Sequence, residues 1–212
     1  MPTALLNLPD LHLPDLLAGI RLFPLDDPPS GPAWNAEELA DLLPATVPRT
    51  PAAVLIAIVT RADGDHVLLT RRTEHLSNHA GQVSFPGGRI DAGDAGPVAA
   101  ALRETAEEVS IASDLLHPLG FIDPYDTITG FRVLPLLARL DASYHAVPDP
   151  HEVAEAFEVP LGFLLDPANC ERRQADYRGA MRHYYQFRFG PHLIWGATAA
   201  MLVNLRQRLT RD

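Results

Sequence analysis

The stretch from Gly87 to Ile111, GGRIDAGDAGPVAAALRETAEEVSI, most constrains what this chain can fold into. It opens with two glycines and passes through a loop rich in Asp and Gly. It then becomes a predicted helix over Pro97–Ser110, with a proline near the start, where the missing N–H costs nothing. Val98, Ala101, Leu102, Thr105 and Val109 form the anchoring side of that helix. Glu104, Glu107 and Glu108 fall together on another side, because positions three and four apart share a face. Arg103 lies four before Glu107 and relieves part of the repulsion, but Glu104 and Glu108 remain an unneutralised pair. A solvated acidic face is the ordinary account of such a pair. The glycine turn ahead of it favours another account, since Gly87 and Gly88 let the backbone approach a ligand closely. The expected ligand is Mg²⁺ or Mn²⁺, which carboxylates hold together with substrate phosphates.

The 212 residues suit one domain with an extension. With 47% apolar and 21% charged residues, the chain can bury a sizeable core. A net charge of −10 argues against nucleic acid as a partner, because phosphate backbones demand a basic footprint. All 17 basic residues are arginine, whose guanidinium binds phosphate oxygens bidentately. The single cysteine, Cys170, excludes an internal disulfide framework and a Cys-rich zinc site. No apolar run reaches membrane-spanning length, and no basic segment precedes the first apolar residues as in a secretory signal. These features predict a cytoplasmic enzyme with no membrane partner.

Ten of the 20 prolines lie within Met1–Pro51, so only short helices are expected there, over Pro14–Arg21 and Asn35–Leu43. Asn35 is the expected N-cap of the second. Residues 1–50 read as a proline-rich arm packed on a domain over residues 51–212; contact with a second copy, making a homodimer, is the other use of its leucines. Strands are predicted over Ala53–Thr60, His66–Arg71, Val83–Phe85, Leu116–Ile122, Phe131–Leu140 and Arg182–Phe189. His151–Phe157 reads as a short acidic helix or loop, and Ile194–Leu209 as a closing amphipathic helix. The polar loop Glu74–Gln82 offers His75, Asn78 and His79 as ligand contacts. The fold class is therefore α+β or an α/β sandwich.

The residues around the glutamates resemble the Nudix hydrolases. That family's box reads Gly, five residues, Glu, seven residues, then Arg-Glu-apolar-x-Glu-Glu-x-Gly-apolar. Here Gly88 is followed after five residues by Asp94, and eight more lead to Arg103-Glu104-Thr105-Ala106-Glu107-Glu108-Val109-Ser110-Ile111. The departures are Asp94, one extra residue, Thr105 and Ser110. The flank Leu68-Leu69-Thr70-Arg71-Arg72-Thr73, then Gly81 and Phe85-Pro86-Gly87-Gly88, is similar to the signature of the coenzyme A pyrophosphatase branch. Asp94 with its longer spacing, and Ile194-Trp195-Gly196-Ala197-Thr198-Ala199, are similar to the same branch. Thr73 stands where that branch has Ser or Ala, and Ser77 where it has a second Arg. The resemblance covers about Ala53 to Leu205.

It implies a mixed β-sheet between helices and hydrolysis of the diphosphate of coenzyme A (CoA) or its thioesters, giving 3′,5′-ADP and a 4′-phosphopantetheine. ADP-ribose and NADH are the rival substrates, and a nucleotide-binding module without turnover is the remote one. Metal binding falls to Glu104, Glu108 and the Gly88 carbonyl, with Glu107 a further ligand or a water-orienting group. Arg103 would hold the carboxylates in place. The general base would come from Glu152 or Glu155. Arg71, Arg72 and Arg89, with His79, Gly81 and Phe85, are the candidates for substrate contact; a surface salt bridge is the plain alternative for each arginine.

Overall fold

A computed structural model of the chain describes residues 13–43, 46–75 and 79–210. Ser77 and Asn78 therefore lie outside the described residues. The centre is a mixed sheet. Its backbone is β1 (Thr50–Arg61), an apolar run that pairs in parallel with β7 (Phe131–Leu140) from Thr50↔Phe131 to Val59↔Leu140. On its other side β1 pairs antiparallel with β2 (Gly64–Arg72) across a tight turn at Ala62-Asp63. Two short strands, β3 (Val83–Ser84) and β4 (Gly87–Arg89), attach to β2 and β1 respectively. Beyond β7 lie β5 (Leu116–Phe121) and the two-residue β6 (Tyr125–Asp126).

β1 is buried along nearly its whole length because both faces of the sheet are covered, so it reads as a continuous apolar run rather than an alternating one. Ala53, Leu55, Ala57 and Val59 face the helix α2 (Pro97–Val109), meeting Ala100, Ala101 and Val109. Ile56 and Ile58 face the opposite way, with Val67 and Leu69 of β2. They meet α1 (Leu13–Gly19) through Leu16 and the closing helix α4 (Ala197–Thr210) through Leu202 and Leu205. Helix, mixed sheet, helix is the expected sandwich. Among the described residues no helix is long and apolar enough to cross a membrane.

The segment 151–157 departs from its expected helix or loop. Most of it belongs to the strand β8 (Val153–Pro160), antiparallel to β2 from His66↔Pro160 to Arg72↔Val153. Glutamates at 152, 155 and 158 imitate a helical spacing, but pairing with the free edge of β2 decides the conformation. A bulge between Arg71 and Arg72 interrupts the register. After α3 (Leu161–Leu165) comes a second sheet, the antiparallel strands β9 (Cys170–Tyr177), β10 (Ala180–Phe189) and β11 (His192–Trp195). β9 had no alternating pattern to announce it. Its turn to β10 is tight: Arg178 and Gly179 both have positive φ, 55° and 81°, as two-residue hairpins require. Ile194 is in β11, and α4 begins only after Gly196 at φ 65°.

Asn35–Leu43 is a succession of turns with bonds mostly three residues apart, not the expected α-helix. Asn35 is not free to cap. Its side chain donates to the Asp126 carbonyl (2.8 Å) and accepts from the Asp126 N–H (3.0 Å), tying the arm to β6. Trp34 Nε1 donates to Gln207 Oε1 at 3.1 Å, and Phe23 bridges to Phe121.

Candidate active site

The glycine turn and α2 meet because β4 pairs with β1 directly beneath the helix, at Val54↔Gly87 and Ala53↔Gly88. Gly87 has φ 145°, and a Cβ there would lie 2.4 Å from the Ala53 carbonyl oxygen. Only glycine permits that approach. Gly88 is crowded from above instead: a Cβ would fall 2.5 Å from the Glu104 carboxyl carbon. The Glu104 carboxylate therefore rests on the backbone of the turn.

Glu108 stands on the buried stripe of α2 with Ala101 and Thr105, and is 4% exposed. Burial pushes its pKa up to about 8; the Gly87 N–H, donating at 3.3 Å, and the Arg72 charge oppose this, while Glu104 and Glu152 add to it. Glu104 is raised as well, by burial first, against its bond from Arg103 and with repulsion from Glu107 and Glu152. Two carboxylates with raised pKa values on a glycine turn fit a divalent cation, whose charge favours the ionised forms. The Gly88 carbonyl is a further oxygen of the hard type such cations take. Glu107 is different, with a side chain 61% exposed and bonded to Arg103. Among the described residues no three His, Cys, Asp or Glu side chains converge into a ready-made metal cage.

Arg103 organises this face with five hydrogen bonds. It reaches Asp94 through Nε (2.9 Å) and Nη2 (3.0 Å), Glu104 and Glu107 through Nη1 (3.0 and 2.9 Å), and the Arg89 carbonyl through Nη2 (3.1 Å). A guanidinium has five N–H donors, so every one is used. Sequence reasoning gave Asp94 no role beyond its place in the box. The structure makes it the partner that fixes Arg103.

Loop 147–152 is clamped to the end of α2. Val147 N donates to the Val109 carbonyl (2.8 Å) and Asp149 N to that of Glu108 (2.9 Å), while the Glu152 carbonyl accepts from Thr73 N (3.0 Å). Glu152 is thereby held close enough for its charge to act on both Glu104 and Glu108. Glu155 goes elsewhere. It alternates along β8 with Phe157 and Val159, which pack in the core on the α4 side of the sheet. There it bonds Arg71 Nε at 3.3 Å and lies 3.7 Å from His192 Nε2. Strand alternation along β2 separates the neighbouring arginines in the same way. Arg72 acts on Glu108 and has a buried Nε without a hydrogen-bond partner, whereas Arg71 joins Glu155 and Glu74.

Arg71, Gly81 and Glu155 line a cleft of about 590 Å³ with Gln82, His192 and Trp195. No sequence signal placed His192 there. His79, at φ 58°, contacts the side-chain oxygen of Gln82 through Nδ1 at 2.8 Å. Phe85 does not line the site: at 2% exposure it is a core residue beneath the turn. The Arg89 guanidinium lies over the Phe131 ring, 5.4 Å from its centroid. The structure thus brings together Gly88, Arg103, Glu104, Glu107, Glu108, Arg72 and Glu152, and leaves Arg71, Glu155, Gly81 and His79 as a second group.

The NUDIX domain model matches residues 49–179, which hold the sheet, the glycine turn and α2. The chain belongs to the Nudix hydrolase family, whose members generally use divalent metal ions and act on phosphorus anhydrides. It is 40% identical over 162 residues to the protein described as uncharacterized Nudix hydrolase NudL of Enterobacter sp. (strain 638), covering 74% of this chain and 81% of that one. NudL of Citrobacter koseri is 39% identical over 165 residues, covering 76% and 83%. A solved Nudix hydrolase from M. smegmatis, RenU, superposes over 54% of this chain and 72% of its own, with a TM-score of 0.46 and 25% identity.

Proposed function

We propose that this chain hydrolyses the diphosphate of CoA or its thioesters to 3′,5′-ADP and (acyl-)4′-phosphopantetheine, in the cytoplasm, with Mg²⁺ or Mn²⁺. The observation that carries the reaction is Glu108, buried at the glycine turn beside Glu104 with its pKa raised to about 8. The run from Leu68 through Gly81 to Phe85-Pro86-Gly87-Gly88 carries the choice of substrate. Glu104, Glu108 and the Gly88 carbonyl would hold the cation. When bound, it offsets the negative charge of the diphosphate.

The rest of the work belongs to the side chains. Arg72, whose charge already acts on Glu108, meets a phosphate oxygen of the substrate. Glu152 takes the proton of the attacking water as the water oxygen bonds to phosphorus and the anhydride P–O bond breaks, leaving the electron pair on the departing phosphate. Arg103 keeps Glu104 and Glu107 in position. Glu107, at the exposed mouth, is suited to orienting the water. The test is an assay of the purified protein with Mg²⁺ or Mn²⁺ against CoA, dephospho-CoA, ADP-ribose and NADH, with products identified. CoA should give the highest kcat/KM. Preference for ADP-ribose or NADH would overturn the substrate and leave the reaction class standing.

A further inference from the structure

The cleft on the α4 side of the sheet is separate from the acidic cluster, and its lining says what it can accept. We infer that it takes the neutral, amide-bearing arm of the substrate, the part that ends in a thiol or thioester. This inference rests on the reading of the substrate as CoA-like. Charge gives the first reason. Arg71, the one arginine among the described residues of the cleft lining, is shared between Glu155 at 3.3 Å and Glu74 at 3.5 Å. Two carboxylates against one committed guanidinium would repel a phosphate.

Hydrogen bonding gives the second. Gln82 supplies an amide, Glu155 an acceptor, and His192 a ring held flat against Phe157, with centroids 3.8 Å apart at 12°. Donors and acceptors side by side match secondary amides. Apolar surface gives the third, since Leu193 and Trp195 close the other wall and Trp195 is 40% exposed with Tyr184 against it edge-on. A volume of about 590 Å³ lies within the range of small-molecule sites and leaves room beyond the arm for a short acyl group.

Position gives the last. Arg71 and Arg72 are consecutive on β2, so strand alternation turns one to the cleft and the other toward Glu108. A substrate with its diphosphate at Arg72 can reach Arg71 only with a long flexible substituent passing round the end of β2.

The experiment titrates pantetheine, which has the arm and no phosphate, into the protein and follows tryptophan emission. Wild type should show a saturable change that Trp195→Phe lacks. Leu193→Arg keeps the fluorophore but fills the cleft, and should weaken binding at least tenfold. Gln82→Ala, on the loop, is the second variant should Leu193→Arg fail to fold, and should weaken it several-fold. Each should lower kcat/KM for CoA relative to ADP-ribose by a factor similar to its loss of pantetheine binding. Absence of a saturable signal in wild type, or the same affinity in a folded cleft variant, overturns the inference even if CoA is hydrolysed. A saturable, cleft-dependent signal in a protein that does not hydrolyse CoA upholds the cleft and rejects the substrate reading.

Discussion

Arg103 grips Asp94 through two parallel bonds, Nε to Oδ1 at 2.9 Å and Nη2 to Oδ2 at 3.0 Å, although nine residues separate them in the chain. Such forked pairs fix a plane as well as a distance. Asp94 also caps its own loop by accepting from Asp91 N at 2.8 Å. The consequence is that an acid with no direct part in catalysis sets the direction of the Nη1 atom shared by Glu104 and Glu107. Asp94→Asn keeps the size and loses the fork. It should lower kcat about 10- to 100-fold, the range seen when outer partners of a metal site are removed. Arg103→Lys, which cannot fork, should do the same. Circular dichroism should show both variants folded.

The two glycines of the turn should fail differently. At Gly87 an alanine Cβ meets backbone on strand β1, 2.4 Å from the Ala53 oxygen and 2.6 Å from the Val54 Cα, at φ 145°. Gly87→Ala should therefore misfold or lose several kcal/mol, roughly the cost of strain plus overpacking. At Gly88 the obstacle is the mobile end of a side chain, Glu104. Gly88→Ala should melt close to wild type and lose activity, and the contrast is read by thermal denaturation beside a rate assay.

Glu152 and Glu155 separate the two sides of the sheet. Glu152→Gln should reduce kcat by roughly 10²- to 10⁴-fold, as expected for a general base. Glu155→Gln removes a charge from the cleft instead, with its pairing to Arg71, and should act on KM for CoA. Equal loss of kcat in both would count against Glu152 as the base.

Metal removal exposes the cost of Glu108. Its pKa in the folded chain, about 8, lies above the ordinary value of 4.5. The folded state then binds a proton that the unfolded state has released, so stability declines as pH rises from about 4.5 to about 8 and stays lower above that. In chelator at pH 8.5, Glu108→Gln should be more stable than wild type by about 2–4 kcal/mol, with the gap closing near pH 4.5. Urea unfolding at the two pH values measures this, and the same variant should have lost its metal-dependent activity.

Ser110 occupies the left-handed position that ends α2, at φ 56° and ψ 26°, where the family pattern has glycine. Its N–H still closes the helix onto the Ala106 carbonyl at 3.0 Å. Ser110→Gly should stabilise the protein by about 0.5–1 kcal/mol, or about 2–4 °C per kcal/mol in melting temperature for a chain of this size.

Where local pattern and tertiary demand agreed, the sequence was readable. β7 ran over Phe131–Leu140 as expected, and α2 lost only its last residue. Thr105, an apparent flaw on the apolar side of α2, is silent because its hydroxyl bonds the Ala101 carbonyl at 2.7 Å. What escaped was decided by distant partners. β8 is a strand because β2 offers it an edge, and Asn35 leaves its capping role because Asp126, 91 residues on, satisfies both ends of its amide. In the site, the box located the acidic group. Which glutamate faces it depended on the docking of loop 147–152 on α2, and which arginine on the register of β2, which local periodicity does not fix.

The docking of the arm has a consequence for how the protein is made. Asn35 waits for Asp126, Trp34 for Gln207, and the Arg21 carbonyl for Arg208. On the ribosome, where domains fold from the N-terminus forward, this segment is the first of the described residues to emerge and the last to find its seat. Pro24, Pro28, Pro29 and Pro32 withhold helix from it during that interval. Translation must therefore pass β6 before the first of these straps can be fastened, and reach α4 before the last.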